Sequence, residues 1–185
     1  MTVHTNHKKV AIVTGSSSGI GLETVLTLAQ NGFITYATMR NPDKSPDILE
    51  DAKRKRNLPI EVVQLDVSND NSTQQAISFI AKKEGQINLL VNNAGYTQLG
   101  AIEDLTLEEV ASQFNTNVFG VFRTIKQIVP IMRRQQKPQQ QQQLQQSQST
   151  TTGGAGTIIN IGSANGFLFY CFCCYALSLD QVSIT

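Results

Sequence analysis

The chain has 185 residues, is 40% hydrophobic and 16% charged, and carries a formal net charge of +1. That length buries the core of one domain, and so even a charge balance supplies no field to draw nucleic acid or an anionic membrane surface. No apolar run reaches the roughly 18 residues of a membrane span, the run from Phe167 to Leu177 reads as buried or interfacial, and MTVHTNHKK lacks the apolar stretch of a secretion signal, so a cytoplasmic protein is expected.

A first strand is predicted near Val10 to Thr14, running into GSSSGIG and then a helix near Ile20 to Asn31. Gly15 permits a sharp exit from the strand, Gly19 lets the backbone come close to a pyrophosphate, and Gly21 lets the helix pack on the sheet. The helix N-terminus, with its unpaired N–H groups and partial positive charge, would face the phosphates. Gly15, Ser17, Ser18, Gly19, Ile20 and Gly21 are therefore the candidate cofactor-binding residues of the turn. Their spacing, GxxxGxG, departs from the GxGxxG of the general dinucleotide fingerprint. Without a ligand, the same stretch reads as an ordinary strand-to-helix turn.

The second strand is predicted near Phe33 to Thr38, and its end bears on cofactor choice. A carboxylate there would hydrogen-bond the ribose hydroxyls of NAD and repel a 2′-phosphate. Between Glu23 and Asp43 there is no acid; Thr38 stands about where it would be, and Arg40 follows. The guanidinium is a planar fork of donors suited to phosphate, so NADP(H) is favoured over NAD(H), with Arg40 as the phosphate ligand. The alternative for Arg40 is a solvated side chain.

Further helices are predicted near Pro46 to Arg56 and Asn71 to Lys83, and strands near Glu61 to Leu65 and Ile87 to Val91. The basic run Lys53 to Arg56 reads as the solvated C-terminal end of its helix, where cations suit the dipole. Asp66 and Val67 follow the third strand, and Asn92, Asn93, Ala94 and Gly95 follow the fourth. A long helix is expected from Leu107 to Arg134, with Thr106 as its N-cap and Asn117 opening NVFG inside it. From Gln135 to Thr152 the chain is polar and repetitive, which predicts a disordered, glutamine-rich insertion on the surface. Such a tract could instead mediate self-association. A fifth strand near Thr157 to Ile161 leads into Gly162 and Ser163. This alternation predicts one α/β domain over residues 1–185, a doubly wound parallel sheet with strand order 3-2-1-4-5.

The three cysteines, Cys171, Cys173 and Cys174, are too close together for a disulfide framework, and their spacing is not that of a zinc site. They read as small apolar side chains beside a core. Both histidines, His4 and His7, lie at the start of the chain, so no metal site is expected. A Ser/His/Asp triad is set aside for the same reason, and proton transfer needs another residue type.

In this order, TGSSSGIG, NNAG, NVFG and INIGS resemble the short-chain dehydrogenase/reductase family, over Lys8 to about Tyr175. The resemblance implies that Asp66 and Val67 contact the adenine and that Asn93, Ala94 and Gly95 line the cofactor's ribose side. On the residues alone, Asn92 and Asn93 could tie strands together, and Asp66 could cap a turn. It also implies that Ser163 hydrogen-bonds a substrate carbonyl, that Tyr175 exchanges the proton, and that Asn117 holds a helix bend and a relay water. Hydride would pass between the nicotinamide and the carbon of a small-molecule carbonyl or alcohol. Association of copies through the long helices is a further implication.

The family's YxxxK pattern fails here, because Leu179 stands at the lysine position and no lysine follows Lys137. The spacing from Ser163 to Tyr175 is also one residue short. The expectation is thus an NADP-preferring oxidoreductase impaired by that loss, truncated before the last strands of the full fold, or an inactive dinucleotide-binding module.

Overall fold

The computed structural model describes residues 9–99, 101–143, 156–162 and 176–178. Five strands, β1 (Val10–Thr14), β2 (Ile34–Met39), β3 (Ile60–Gln64), β4 (Leu89–Asn92) and β5 (Thr157–Asn160), pair in parallel in the order β3-β2-β1-β4-β5. This is the arrangement the sequence predicts. A short strand not foreseen, β6 (Ala176–Ser178), pairs antiparallel with β5 and sets Ala176 opposite Ile159.

β1 lies at the centre of the sheet, and all five of its residues are buried, as a strand covered on both faces requires. Val10 and Ile12 share one core with Ile77, Ile80, Ile128 and Met132. Ala11 and Val13 share the other with Val25, Leu26 and Leu49. Helices α1 (Gly19–Gln30) and α2 (Asp47–Arg56) therefore cover one face, and α3 (Asp70–Glu84) and α5 (Gly120–Gln143) the other. The Asn69 side chain caps α3 by accepting from Ser72 N at 3.0 Å, and Gly85, at φ +74°, ends it. The expected Thr106 cap opens α4 (Leu107–Phe114) as a capping box with Glu109: Glu109 N donates to Thr106 Oγ1 at 3.2 Å and Thr106 N to Glu109 Oε2 at 2.9 Å.

Three expectations need correction. The single helix from Leu107 to Arg134 is interrupted by a π-helical turn, Asn115–Phe119, between α4 and α5. Asn115 and Asn117 there hydrogen-bond to neighbouring loops, and such competing contacts shift a helix off its ladder. Second, the chain is helical at Gln135 and onward to Gln143, where disorder was expected. A helix already nucleated extends at the gain of a bond per residue, and glutamine is a good helix former, although Pro138 forgoes one such bond. Gln135 also anchors this stretch, donating to Ile87 O at 3.1 Å and accepting from Ile87 N at 3.0 Å. Residues 144–152 lie outside those described. Third, that same contact occupies the Ile87 backbone, and β4 begins at Leu89 instead.

Candidate functional site

The turn between β1 and α1 carries glycines for two physical reasons. Gly15 and Gly19 have φ of +65° and +55°, a region that favours glycine. A Cβ on Gly15 would lie 2.7 Å from Ala94 Cα, and one on Gly21 would lie 2.5 Å from Gly15 O and 2.4 Å from Asn93 Nδ2. Gly15 and Gly21 thus let the turn close against the NNAG segment. At Gly19 a Cβ would meet nothing within 4 Å, so this part of the turn faces open space.

Ser17, Ser18, Gly19 and Ile20 are all exposed. Unlike α3 and α4, α1 has no side-chain cap from Ser18 and no acid in its first turn. Its first N–H groups therefore point outward with the positive end of the helix dipole, the arrangement that suits an anion.

Thr14 joins this turn to the next segment. Its Oγ1 accepts from the backbone N–H groups of Asn93 and Ala94, both at 3.0 Å. The Asn93 amide donates in return to Thr14 O and Gly15 O, each at 3.0 Å. The Asn93 side chain is thus occupied in holding the turn. Asn92 does the same between elements, donating to Asn160 Oδ1 at 2.8 Å and accepting from Thr124 Oγ1 at 2.7 Å.

At the end of β2, the Thr38 side chain is buried and donates to Val13 O at 2.9 Å, while its carbonyl accepts from Ser16 N and Ser16 Oγ. Thr38 faces β1, and Arg40, just beyond this strand end, is exposed. On the other side of β2, Asp66 Oδ1 accepts from Ser68 N at 2.9 Å and Ser68 Oγ at 2.6 Å, closing an Asx turn. Val67 is buried beneath Gly120, where a Cβ would come within 2.8 Å of Val67 Cγ2.

Asn117 sits in the π-helical turn and grips the backbone of Tyr96, donating from Nδ2 to Tyr96 O at 2.7 Å and accepting from Tyr96 N at 3.1 Å. Gly95 lies against that amide, since a Cβ on it would be 3.2 Å from Asn117 Oδ1. Gly15 to Gly21, Asn93 to Gly95 and Asn117 are consequently joined through direct contacts. Ser163, Tyr175, Leu179 and the three cysteines lie outside the described residues. Among the described residues, no three His, Cys, Asp or Glu side chains gather as metal ligands.

Sequence reading missed Thr14, Ser16, Asn115 and Arg123. Thr14 and Ser16 flank a glycine already singled out, but nothing in a linear pattern says which neighbour bonds across the sheet. The NTN triplet at 115–117 was a usable signal, since paired asparagines inside a helix advertise side-chain bonds to a loop.

A doubly wound parallel sheet whose central strand feeds a glycine turn and an uncapped helix defines the nucleotide-binding, Rossmann-like class. The short-chain dehydrogenase profile matches residues 9–178, and the chain belongs to that family. A 3-ketodihydrosphingosine reductase of Bacteroides thetaiotaomicron is 36% identical over 126 residues, 68% of this chain and 43% of that protein. Retinol dehydrogenase 8 of Homo sapiens is 37% identical over 129 residues, 68% of this chain and 40% of that protein. A solved actinorhodin polyketide ketoreductase with NADPH aligns with a TM-score of 0.69 at 27% identity, covering 86% of this chain and 55% of that one. The chain thus spans less than half the length of these two relatives. Among the described residues, no helix is long and apolar enough to cross a membrane.

Proposed function

We propose that the chain binds NADP(H) in preference to NAD(H) and serves the interconversion of a carbonyl and an alcohol, with turnover impaired by the missing lysine. The observation that carries this reading is the open N-terminal end of α1, framed by the exposed turn and followed across β2 by Arg40. The residues present fit the cofactor: unpaired N–H donors and the open face of Gly19 for the pyrophosphate, and Arg40 for the 2′-phosphate. Bound there, the nicotinamide would supply or take up the hydride.

The chain's own residues divide the remaining tasks. Asn93 and Thr14 hold the turn, and Asn117 fixes the backbone at Tyr96 beside the ribose side of the site. Following the family pattern, Ser163 donates a hydrogen bond to the carbonyl oxygen and Tyr175 gives or takes the proton. A phenol with a pKa near 10 needs a neighbouring cation to act as a base at neutral pH, and Leu179 supplies none. Reduction, which asks of Tyr175 only an acid, is the favoured direction.

Relatives named for 3-ketodihydrosphingosine and retinol, together with exposed Tyr96 and Leu99 beyond the NNAG segment, support a bulky apolar substrate. Exposed Phe119 and Phe122 support association of copies through the long helices.

Leu179, at the lysine position of the family's YxxxK pattern, favours a second reading, a dinucleotide-binding module without turnover. NADPH consumption with a panel of apolar ketones and aldehydes, for the wild type and Leu179→Lys, separates the two. An impaired enzyme gains at least about tenfold in rate from the lysine, a floor set below the roughly hundredfold or more usual for acid–base assistance. Saturable NADPH binding with no turnover by either protein leaves the inactive module.

A further inference from the structure

Asn115 and Asn117 stand two residues apart in the π-helical turn, yet they reach different loops. Asn117 holds Tyr96, on the loop after β4. Asn115 donates from Nδ2 to Ser68 O at 3.4 Å, on the loop after β3. One side chain binds this second connection together. Arg123 Nε donates to Asp70 Oδ1 at 2.8 Å, one terminal nitrogen donates to Val67 O at 3.2 Å and Asn115 O at 3.1 Å, and the other donates to Asn115 Oδ1 at 2.8 Å.

We infer that Arg123 is a positioning residue that ties the loop after β3 to the π-helical turn and, through that turn, sets the backbone at Tyr96 on the loop after β4. The Asp70 carboxylate is 81% exposed, so its ion pair contributes little by itself. The two carbonyls and the Asn115 amide do the locating, because Arg123 is only 21% exposed and its planar fork meets all three at once. A lysine offers one compact ammonium and keeps at most part of this set. Gly120 packs directly on Val67, where a Cβ would come within 2.8 Å of Val67 Cγ2, so the turn and that loop are in close contact here too.

The first test needs no ligand. Amide hydrogen exchange of the full chain is followed at Ser68 N–H, which donates to Asp66, at Tyr96 N–H, which donates to Asn117, and at Ile12 and Leu90 in the core. In Arg123→Met and Arg123→Lys, exchange at both Ser68 and Tyr96 is expected to rise by about tenfold, with the core amides unchanged. Should Arg123→Met fail to fold, Arg123→Lys carries the test. Faster exchange at Ser68 alone overturns the inference, and so does equal acceleration in the core, which would make Arg123 a general stabiliser.

The second test rests on the proposed cofactor reading. Arg123→Lys should weaken NADPH by about tenfold and adenosine 2′,5′-bisphosphate, which carries only the adenine half, by clearly less. Equal losses for the two would confine Arg123 to the adenine loop and overturn the coupling. If the wild type binds neither nucleotide the cofactor reading fails, and the exchange data still decide the role of Arg123.

Discussion

Replacing Gly21 with alanine tests whether the glycine turn and the NNAG segment are held as one packed unit. The added Cβ would sit 2.5 Å from Gly15 O and 2.4 Å from Asn93 Nδ2, too close to a backbone atom to be relieved by a rotamer change. Forcing a methyl group into such a site costs about 1–3 kcal/mol. Pushing Asn93 away would also weaken its two 3.0 Å bonds to Thr14 O and Gly15 O, at about 1 kcal/mol each. The sum is about 3–5 kcal/mol, which in a chain of this size lowers the melting temperature by about 6–20 °C. Gly19→Ala is the control: its Cβ meets nothing within 4 Å, and only the positive φ of +55° is strained, for about 1–2 kcal/mol. Thermal unfolding by circular dichroism, with urea midpoints as a second measure, gives both values. A Gly21→Ala protein that melts within about 2 °C of the wild type, or no lower than Gly19→Ala, refutes the reasoning.

Arg40→Glu should weaken NADPH by about tenfold to a hundredfold, the loss of a charge-assisted phosphate contact, and change NADH by no more than about threefold; equal loss of both cofactors in a fluorescence titration would remove Arg40 from the site. Tyr36 is buried and donates to Glu84 Oε1 at 2.5 Å. Burial, then this bond to Glu84, then the charges of Glu61 and Glu84 raise its phenol pKa well above the ordinary value. The folded state therefore keeps the Tyr36 proton where the unfolded chain releases it, and this contribution to stability is whole below about pH 10 and is lost as the pH rises further. Urea midpoints measured up the alkaline range should fall less steeply in Tyr36→Phe than in the wild type; parallel slopes would contradict the assignment. Leu179→Lys should raise carbonyl reduction at least about tenfold, and an unchanged rate would point to the inactive module.

The βαβ frame was legible because its signals are local. Continuous apolar strands such as VAIVT, the glycine turn and the Thr106 cap each announce themselves over a few residues. What escaped depends on partners distant in sequence. The π-helical turn exists because Asn115 and Asn117 find loops 47 and 21 residues away, which helical periodicity cannot register. The same holds for Gln135, whose bonds to Ile87 explain why helix continues into a stretch that composition marks as disordered. Within the site, NNAG stands out as a pattern in the sequence, while the tasks of its residues do not. The structure shows the Asn92 and Asn93 amides tying strands and the turn together, and Asp66 closing an Asx turn.

A calorimetric titration of the folded chain with NADPH and, separately, with NADH tests the central claim most directly. Saturable binding of both with tighter binding of NADPH is the outcome expected from the open end of α1 and from Arg40. No heat with either nucleotide, in a sample whose circular dichroism shows the α/β fold intact, would contradict it.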